Sequence, residues 1–297
     1  MIAVTGGNGF LGRHVLTALR NRDFNYTVLS RLPLLLEGVP KEKIRVVNFK
    51  DPPGLEKALE GASQILHLAG RVNGSVGNLK EANAVLMQRL VGASRRIGVK
   101  KIIYMSSVAA HTRKGPYGKS KWQAEEILKS SGIPHLIFRA ALLYGHGDNK
   151  NVATMQRVIK KFPVFPLLGG GGFLLQPLYV EDAVSVLTRA LESPFENRIY
   201  HLAGPSQISL KDMAVIMADS CGRRIKFYSV PLRPLQVFAR LWSAVFPNTR
   251  LPVKQILELD QHSAFNIEEA RRDFGFSPRN FRDGIQTMKG TEALCVG

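Results

Sequence analysis

Short β-branched and aliphatic runs alternate with segments of helical period through the first half of the chain. The strand-like runs are Ile2–Thr5, Tyr26–Ser30, Ile44–Asn48, Gln64–Leu68, Lys101–Ser106 and His135–Arg139. Between them, apolar positions recur at helical spacing near Arg13–Arg20, Gly54–Leu59, Leu79–Ile97 and Ser120–Ser130. Short strands interleaved with helical segments in this way are the mark of a parallel sheet covered by helices. The pattern predicts an α/β fold, a doubly wound parallel sheet with right-handed crossovers.

The rhythm breaks beyond Gly145. Phe162 to Pro177 is rich in Pro and Gly, and Gly169 to Gly172 have no helical pattern after them, so a loop is expected there rather than a phosphate cradle. A helix near Val180–Leu191 and a strand near Arg198–Leu202 read as a return to the main sheet. From about Gly204 a smaller, mostly helical region follows. The expected division is a sheet domain of residues 1–145 and 177–204, and a second region of residues 146–176 and 205–297.

The first turn carries the clearest chemistry. Gly7-x-Gly9-x-x-Gly12 follows a predicted strand and opens a predicted helix, the context in which this spacing becomes informative. Glycines permit the sharp turn and let backbone approach a pyrophosphate, while the helix N-terminus presents aligned N–H groups. The turn around Gly6, Gly9, Phe10, Leu11 and Gly12 therefore predicts a bound dinucleotide. An acidic residue at the end of the second strand would hold a ribose 2′-hydroxyl. Ser30-Arg31 stands there instead, and an arginine suits a 2′-phosphate, so NADP is favoured over NAD.

Tyr117 and Lys121 are one helical turn apart, on a helix expected to begin near Gly118. An ammonium beside a phenol favours the phenolate and should lower its pKa. Such a phenol can exchange a proton with an alcohol or carbonyl oxygen, and Ser107, just after the fifth strand, can hydrogen-bond the same oxygen.

Composition narrows the partners. The 297 residues are 45% hydrophobic, enough for a full core. The net charge of +18 favours anionic or phosphorylated ligands, but no zinc-finger spacing or RNP-like strand accompanies it, so nucleic acid is not expected. Two cysteines, Cys221 and Cys295, lie far apart without metal-ligand spacing, so neither a disulfide framework nor a metal site is expected. No signal-like segment or run of about 20 apolar residues is visible, and a cytoplasmic location is the expectation.

Together these residues resemble the extended short-chain dehydrogenase/reductase superfamily, in its NAD(P)-dependent epimerase/dehydratase family, from Met1 to about Met288. Thr5 to Gly12 is similar to the family's TGxxGxxG turn, and His67-Leu68-Ala69-Gly70 to its HLAA strand end along the cofactor. Asn48 stands where an Asp meets the adenine, and Asn83 matches the fourth-helix Asn. Ser106-Ser107 matches the serine strand end, Tyr117 to Lys121 the YxxxK helix, Tyr144 to Asp148 the YGPGD loop, and Gln176 to Asp182 the QPVYVDD segment. The resemblance implies a Rossmann-type nucleotide domain with a C-terminal substrate region. It also implies hydride transfer at a secondary alcohol or ketone, most often of a nucleotide-sugar. Tyr117 would be the acid/base. Lys121 would tune it and hold the nicotinamide ribose, and Ser107 would position the substrate oxygen. It further implies cofactor contacts from Leu68, Ala69, Gly70, Asn48 and Asn83, and pairing as a homodimer through the helices near Leu79–Ile97 and Ser120–Ser130.

The departures bear on the substrate. Leu174, Leu175 and Gln176 stand where nucleotide-sugar members carry an arginine, and the segment near Val253–Ala264 lacks the RxGD-type motif. Arg139 is followed by Ala140 rather than Pro, and the interval from Ser107 to Tyr117 is short, implying a trimmed loop. Ser220 to Leu257 contains no Asp or Glu, while Leu235, Phe238, Leu241, Trp242 and Val245 recur at helical spacing. A basic amphipathic helix over 232–246 suits either peripheral membrane contact or an apolar pocket wall, and an ordinary core-packed helix is the plainer reading. The alternatives to a nucleotide-sugar enzyme are therefore a reductase or dehydrogenase of a lipid-like or steroid-like alcohol, or a non-catalytic NADP-binding subunit.

Overall fold

The computed structural model describes residues 1–33, 38–148, 151–231 and 264–289. The chain forms two compact units. The first comprises Met1–Ala141, Val180–Leu202 and Asn266–Ser277, and the second Leu142–Tyr179, Ala203–Phe265 and Pro278–Gly297.

The first unit is built on a seven-stranded, wholly parallel sheet. Its strands are β1 (Ile2–Thr5), β2 (Tyr26–Ser30), β3 (Ile44–Val46), β4 (Gln64–His67), β5 (Lys101–Ser107), β6 (His135–Ala140) and β11 (Arg198–Leu202), in the order β11-β6-β5-β4-β1-β2-β3. Strand order reverses between β1 and β4, the switch point at whose carboxyl ends sheets of this kind form a ligand crevice. The third strand stops at Val46, two residues short of the expected Asn48, because the chain turns there: the amide of Asp51 donates to the Asn48 carbonyl at 3.0 Å.

Each face of the sheet is covered by helices. Ala3, Leu29, Ile65, Ile102, Tyr104 and Ile137 pack against Leu55 and Leu59 of α2 (Pro52–Leu59), Leu90 of α4 (Leu86–Ile97) and Leu128 of α6 (Gly115–Lys129). On the other face α1 (Phe10–Asn21) pairs with α8 (Val180–Glu192). Burial at about 25 cal/mol per Å² of apolar area makes this two-sided core the main stabilising term. The helix expected over Leu79–Ile97 is three pieces in one rod: α3 (Val76–Lys80), a π-helical turn at Glu81–Val85, and α4. A π turn widens a helix by one residue and re-aims the side chains within it. Helix α6 begins at Gly115, three residues before the expected start, with Pro116 in its first turn, where a missing N–H costs nothing.

A late segment also belongs to this unit. Helix α10 (Glu268–Phe274) docks Phe274 edge-on against Phe138 of β6 and Tyr200 of β11, while Arg198 and Tyr200 both donate to the Asp273 carboxylate at 2.7 Å. Asn266–Ser277 thus belongs with the sheet, whereas the sequence pattern placed everything after Gly204 in the second region. Phe274 and Phe276 are anchors too short in sequence to announce themselves by periodicity.

The second unit holds β7 (Leu143–Tyr144), α7 (Asn151–Lys161), β8 (Val164–Leu168), β9 (Leu174–Leu175), β10 (Leu178–Tyr179), β12 (Ile208–Ser209), α9 (Leu210–Ser220), β13 (Lys226–Val230) and α11 (Phe281–Lys289). Its core gathers Tyr144, Met155, Ile159, Phe165, Met213, Met217, Phe281 and Ile285. The stretch expected to be only a loop contains β8, which pairs in parallel with β13. Alternate residues of Val164–Leu168 are buried, and Pro166 takes an exposed position, which the strand tolerates. Gly169, Gly170 and Gly171 then make a tight turn with positive φ at each. The amphipathic pattern over 232–246, Cys295, and the part of the Val253–Ala264 segment before Ala264 lie outside the described residues. Among the described residues no helix is long and apolar enough to cross a membrane, and no cluster of His, Cys, Asp and Glu is placed to hold a metal ion.

Candidate active site

The glycine turn connects β1 to α1 and is closed by backbone contact. Gly6 has φ +78°, and a Cβ there would lie 2.5 Å from the Ala69 nitrogen. A Cβ on Gly12 would fall 2.2 Å from the Gly6 carbonyl oxygen. Neither position admits a side chain, so the turn lies flat between the ends of β1 and β4. Gly9 is exposed and caps α1 without a side-chain bond, and no acidic residue occupies the first turn of that helix. Phe10 is half-buried over His14, with ring centroids 5.4 Å apart, and Leu11 and Gly12 are buried. An open, uncapped helix N-terminus behind a glycine cradle fits a dinucleotide pyrophosphate.

The rim of the crevice continues through β2 and β4. Ser30 is buried, and its hydroxyl closes a turn by donating to the Leu32 carbonyl at 2.8 Å. Arg31, beside it, is exposed. Asn48 is exposed, and its side chain accepts from the Lys50 amide at 3.0 Å. Leu68, Ala69 and Gly70 run on from β4 past the glycine turn, with the Leu68 amide bonded to the Thr5 carbonyl at 3.1 Å.

Asn83, expected among the cofactor contacts, lies beside Gly70. It sits mid-way along the π turn with no solvent exposure. Its amide nitrogen donates to the Arg71 carbonyl at 3.1 Å and to Ser120 Oγ at 2.9 Å, and its oxygen accepts from the Arg71 amide at 3.1 Å. The side chain is therefore fully engaged in fixing the chain after Gly70 to helix α6.

The reacting groups come from β5 and α6. Ser107 ends β5, and its Oγ accepts from the Ala109 amide at 3.3 Å at the start of a one-turn helix, α5 (Ala109–Thr112). That turn is what the short interval between Ser107 and Tyr117 encodes. Tyr117 lies in the first turn of α6, with the Ser107 hydroxyl near enough to act on its phenol. Lys121, one turn on, is buried; its Nζ donates to the Met105 carbonyl at 2.9 Å and stands 4.7 Å from the centre of the Tyr104 ring. A Cβ on Gly70 would lie 3.2 Å from that Nζ. The glycine turn, the β4 strand end and the Ser107–Tyr117–Lys121 group thus meet at the carboxyl edge of one sheet.

The electrostatics differ from the expectation of a lysine-lowered phenol. Burial pushes the Tyr117 phenol above its ordinary value, and the Ser107 hydrogen bond works against that rise. Lys121 itself is depressed to about 8 by burial, with the Glu125 carboxylate opposing the fall. Both groups of the protein alone are therefore held towards their neutral forms, as desolvation demands of an acid and a base alike.

A layer beneath these groups was not singled out from sequence. Glu125, fully buried on α6, accepts from Ser106 Oγ at 2.5 Å and from Arg139 Nη2 at 2.6 Å. The Arg139 Nη1 stands 3.3 Å from His111 Nδ1, and the His111 and His201 rings meet edge-on at 5.5 Å. On β4, His67 bonds Thr5 through Nδ1 at 2.6 Å and stacks on Tyr104 at 5.2 Å. The one available signal for Glu125 was its spacing: a carboxylate one helical turn beyond Lys121, on a strongly basic chain.

Comparison with known proteins agrees with this architecture. Residues 2–203 match the NAD dependent epimerase/dehydratase family. The chain is similar to the 4-hydroxy-2-methyl-3-oxo-4-farnesyl-3,4-dihydroquinoline-1-oxide ketoreductase of Stigmatella aurantiaca, 20% identical with 98% of this chain and 94% of that one covered. It is similar also to the 2-alkyl-3-oxoalkanoate reductase of Stenotrophomonas maltophilia, 22% identical with 98% and 99% covered. Among solved structures, the Thermus thermophilus UDP-glucose 4-epimerase complex with NAD shares the fold at a TM-score of 0.74 and 23% identity, covering 97% of this chain and 99% of that one. The glycine turn, the parallel sheet and the serine, tyrosine and lysine at its edge all fall within or beside the matched span, and the chain is an enzyme of the NAD dependent epimerase/dehydratase family.

Proposed function

We propose that this enzyme interconverts a ketone and a secondary alcohol on an apolar, lipid-like substrate, with NADP(H) as the preferred cofactor. The observation that carries the reaction type is the meeting of Ser107, Tyr117 and Lys121 with the glycine cradle at one sheet edge. When bound, a nicotinamide supplies or accepts the hydride. In the reductive direction the Tyr117 phenol gives its proton to the developing alkoxide, Ser107 donates a hydrogen bond to the same oxygen, and the Lys121 ammonium stabilises the phenolate left behind. A phenol raised by burial is a proton donor that stays protonated until the substrate oxygen takes the charge.

The substrate class rests on Gln176. It occupies the region where a diphosphate-gripping arginine stands in nucleotide-sugar enzymes of this type, and it is buried and uncharged. Its amide nitrogen donates to the carbonyls of Gly204 at 2.7 Å and Phe265 at 3.2 Å, and its oxygen accepts from the Phe265 amide at 2.9 Å. Leu174 and Leu175 beside it are apolar strand residues. The names of the two reductases above, one with a farnesyl-bearing and one with an alkyl-bearing ketone, are consistent with that chemistry. The NADP preference rests on Arg31, exposed directly after β2, and on the absence of an acid at Ser30 or Arg31. A nucleotide-sugar substrate is the second reading, supported by the net charge of +18 and by solved relatives bound to UDP-sugars.

The test is NADPH oxidation with long-chain 2-alkyl-3-oxo acids, set against product analysis of UDP-glucose and dTDP-glucose incubated with the enzyme and NAD+ or NADP+, where epimerised, dehydrated or oxidised sugar would be seen. Turnover of the alkyl ketones and its loss by at least ~10²-fold in Tyr117→Phe, with NADPH affinity kept, is the expected result. Saturable turnover of a UDP- or dTDP-sugar alone would replace the lipid-like reading by the second. Undiminished turnover in Tyr117→Phe would end the assignment of the phenol.

A further inference from the structure

The Tyr117–Lys121 pair is underlain by a carboxylate that touches every element carrying a reacting group. Glu125 stands on α6, one turn beyond Lys121. One of its oxygens takes the Ser106 hydroxyl at 2.5 Å, and Ser106 immediately precedes Ser107 on β5. The opposite strand, β6, supplies Arg139, which is paired in register with Ser106 and clasps both carboxylate oxygens: Nε at 3.0 and 3.2 Å, Nη2 at 2.6 Å. The carboxylate has no exposed surface, and the Arg139 side chain is 12% exposed. Bidentate, desolvated contacts of this kind hold geometry far better than surface pairs.

We propose that Glu125 is a positioning residue of the active site, fixing the Ser107 strand end against the Tyr117–Lys121 helix and serving as the counter-charge to the Lys121 ammonium. The proposal rests on the role given above to Tyr117 and Lys121. The groups around Lys121 are Tyr104 from β5, His67 from β4, Asn83 from the π turn and Glu125 from its own helix, with Tyr117 one turn before it. His67 is held neutral, far below its ordinary value at about 3, and the Tyr104 phenol is pushed well above its own. Glu125, clasped by the Arg139 guanidinium, is thus the one carboxylate in this set. Arg139 reaches the cluster by way of Glu125 and cancels part of its charge. Burial drives Lys121 down to about 8, and the Glu125 carboxylate is the charge that opposes a further fall.

The experiment reads the amine directly, without substrate. Protein labelled with 13C at lysine Cε is titrated by NMR, the Lys121 signal being assigned by its loss in Lys121→Arg. In Glu125→Gln, an isostere that can still accept from Ser106, the Lys121 midpoint should fall by about one pH unit or more. Arg139→Gln removes the partner and should move the midpoint upward, which gives an opposite sign and a second reading should Glu125→Gln fail to fold. Ser106→Ala keeps both charges and should leave the midpoint within a few tenths of a unit. An unmoved midpoint in Glu125→Gln, or in Arg139→Gln if only that variant folds, overturns the counter-charge role. Equal shifts in Ser106→Ala and the charge variants would show loosened packing instead, and would overturn it as well. Because no turnover is measured, these outcomes are distinct from failure of the Tyr117 assignment.

Discussion

Gly70 and Lys121 touch: a single carbon added to Gly70 would sit 3.2 Å from the Lys121 amine and 2.9 Å from the Asn83 amide oxygen. The strand end that borders the nucleotide crevice and the helix that carries the ammonium are therefore in direct contact, with no side chain between them. Gly70→Ala should push Lys121 or Asn83 aside by a few tenths of an ångström. The expected outcome is an NADPH Kd raised roughly tenfold with a fold stability changed by less than about 1 kcal/mol, since Gly70 itself is exposed. Fluorescence titration and urea unfolding measure the two, and unchanged affinity would show that the crevice tolerates the shift.

Arg31 should discriminate between the two nicotinamide cofactors. A guanidinium on a 2′-phosphate is a charge-assisted contact of about 1.5–3 kcal/mol. Arg31→Ser should weaken NADPH about tenfold or more and leave NADH binding unchanged. Parallel loss for both cofactors would mean the arginine contributes only general attraction.

Asn83 should be costly to truncate. Asn83→Ala removes bonds to both backbone groups of Arg71 and to Ser120 at a fully buried position. Leaving such groups unpartnered costs about 1–3 kcal/mol, so the urea midpoint should fall accordingly. A change below about 0.5 kcal/mol would mean that the π turn relaxes and restores the partners.

Acid should destabilise the fold through two histidines. His67 and His201 are held down to about 3 and about 4, chiefly by burial. As pH falls through 6.5 the unfolded chain takes up protons that these native imidazoles refuse, so stability is present above pH 6.5 and is lost on the way to pH 4. His67→Gln should flatten this slope between pH 6.5 and 4. An equally steep slope in the variant would assign the acid sensitivity elsewhere.

The nucleotide half of the protein was legible because its signals are local. Strands β1, β2 and β11 begin and end where the apolar runs do, and the glycine turn follows from steric demands that three residues satisfy. The tertiary signals were not legible. Asn83 matches a motif, yet its partners Arg71 and Ser120 are chosen by a π turn that no hydrophobic period encodes. Tyr117 and Lys121 carry the right spacing for a charge-stabilised phenolate, but burial raises the phenol, Ser107 is the group that opposes the rise, and burial is set by the surrounding fold. The β8 strand was hidden by its proline and by a partner, β13, more than fifty residues away.

The docking of Phe274 has a consequence for the order in which the protein is made. The aromatic groove between β6 and β11 is complete once residue 202 has been synthesised, yet its filling side chain comes some seventy residues later. A ribosome-bound chain therefore holds a nearly finished nucleotide domain with Phe138 and Tyr200 open to water until Phe274 emerges. Chaperone dependence during translation should concentrate in that interval.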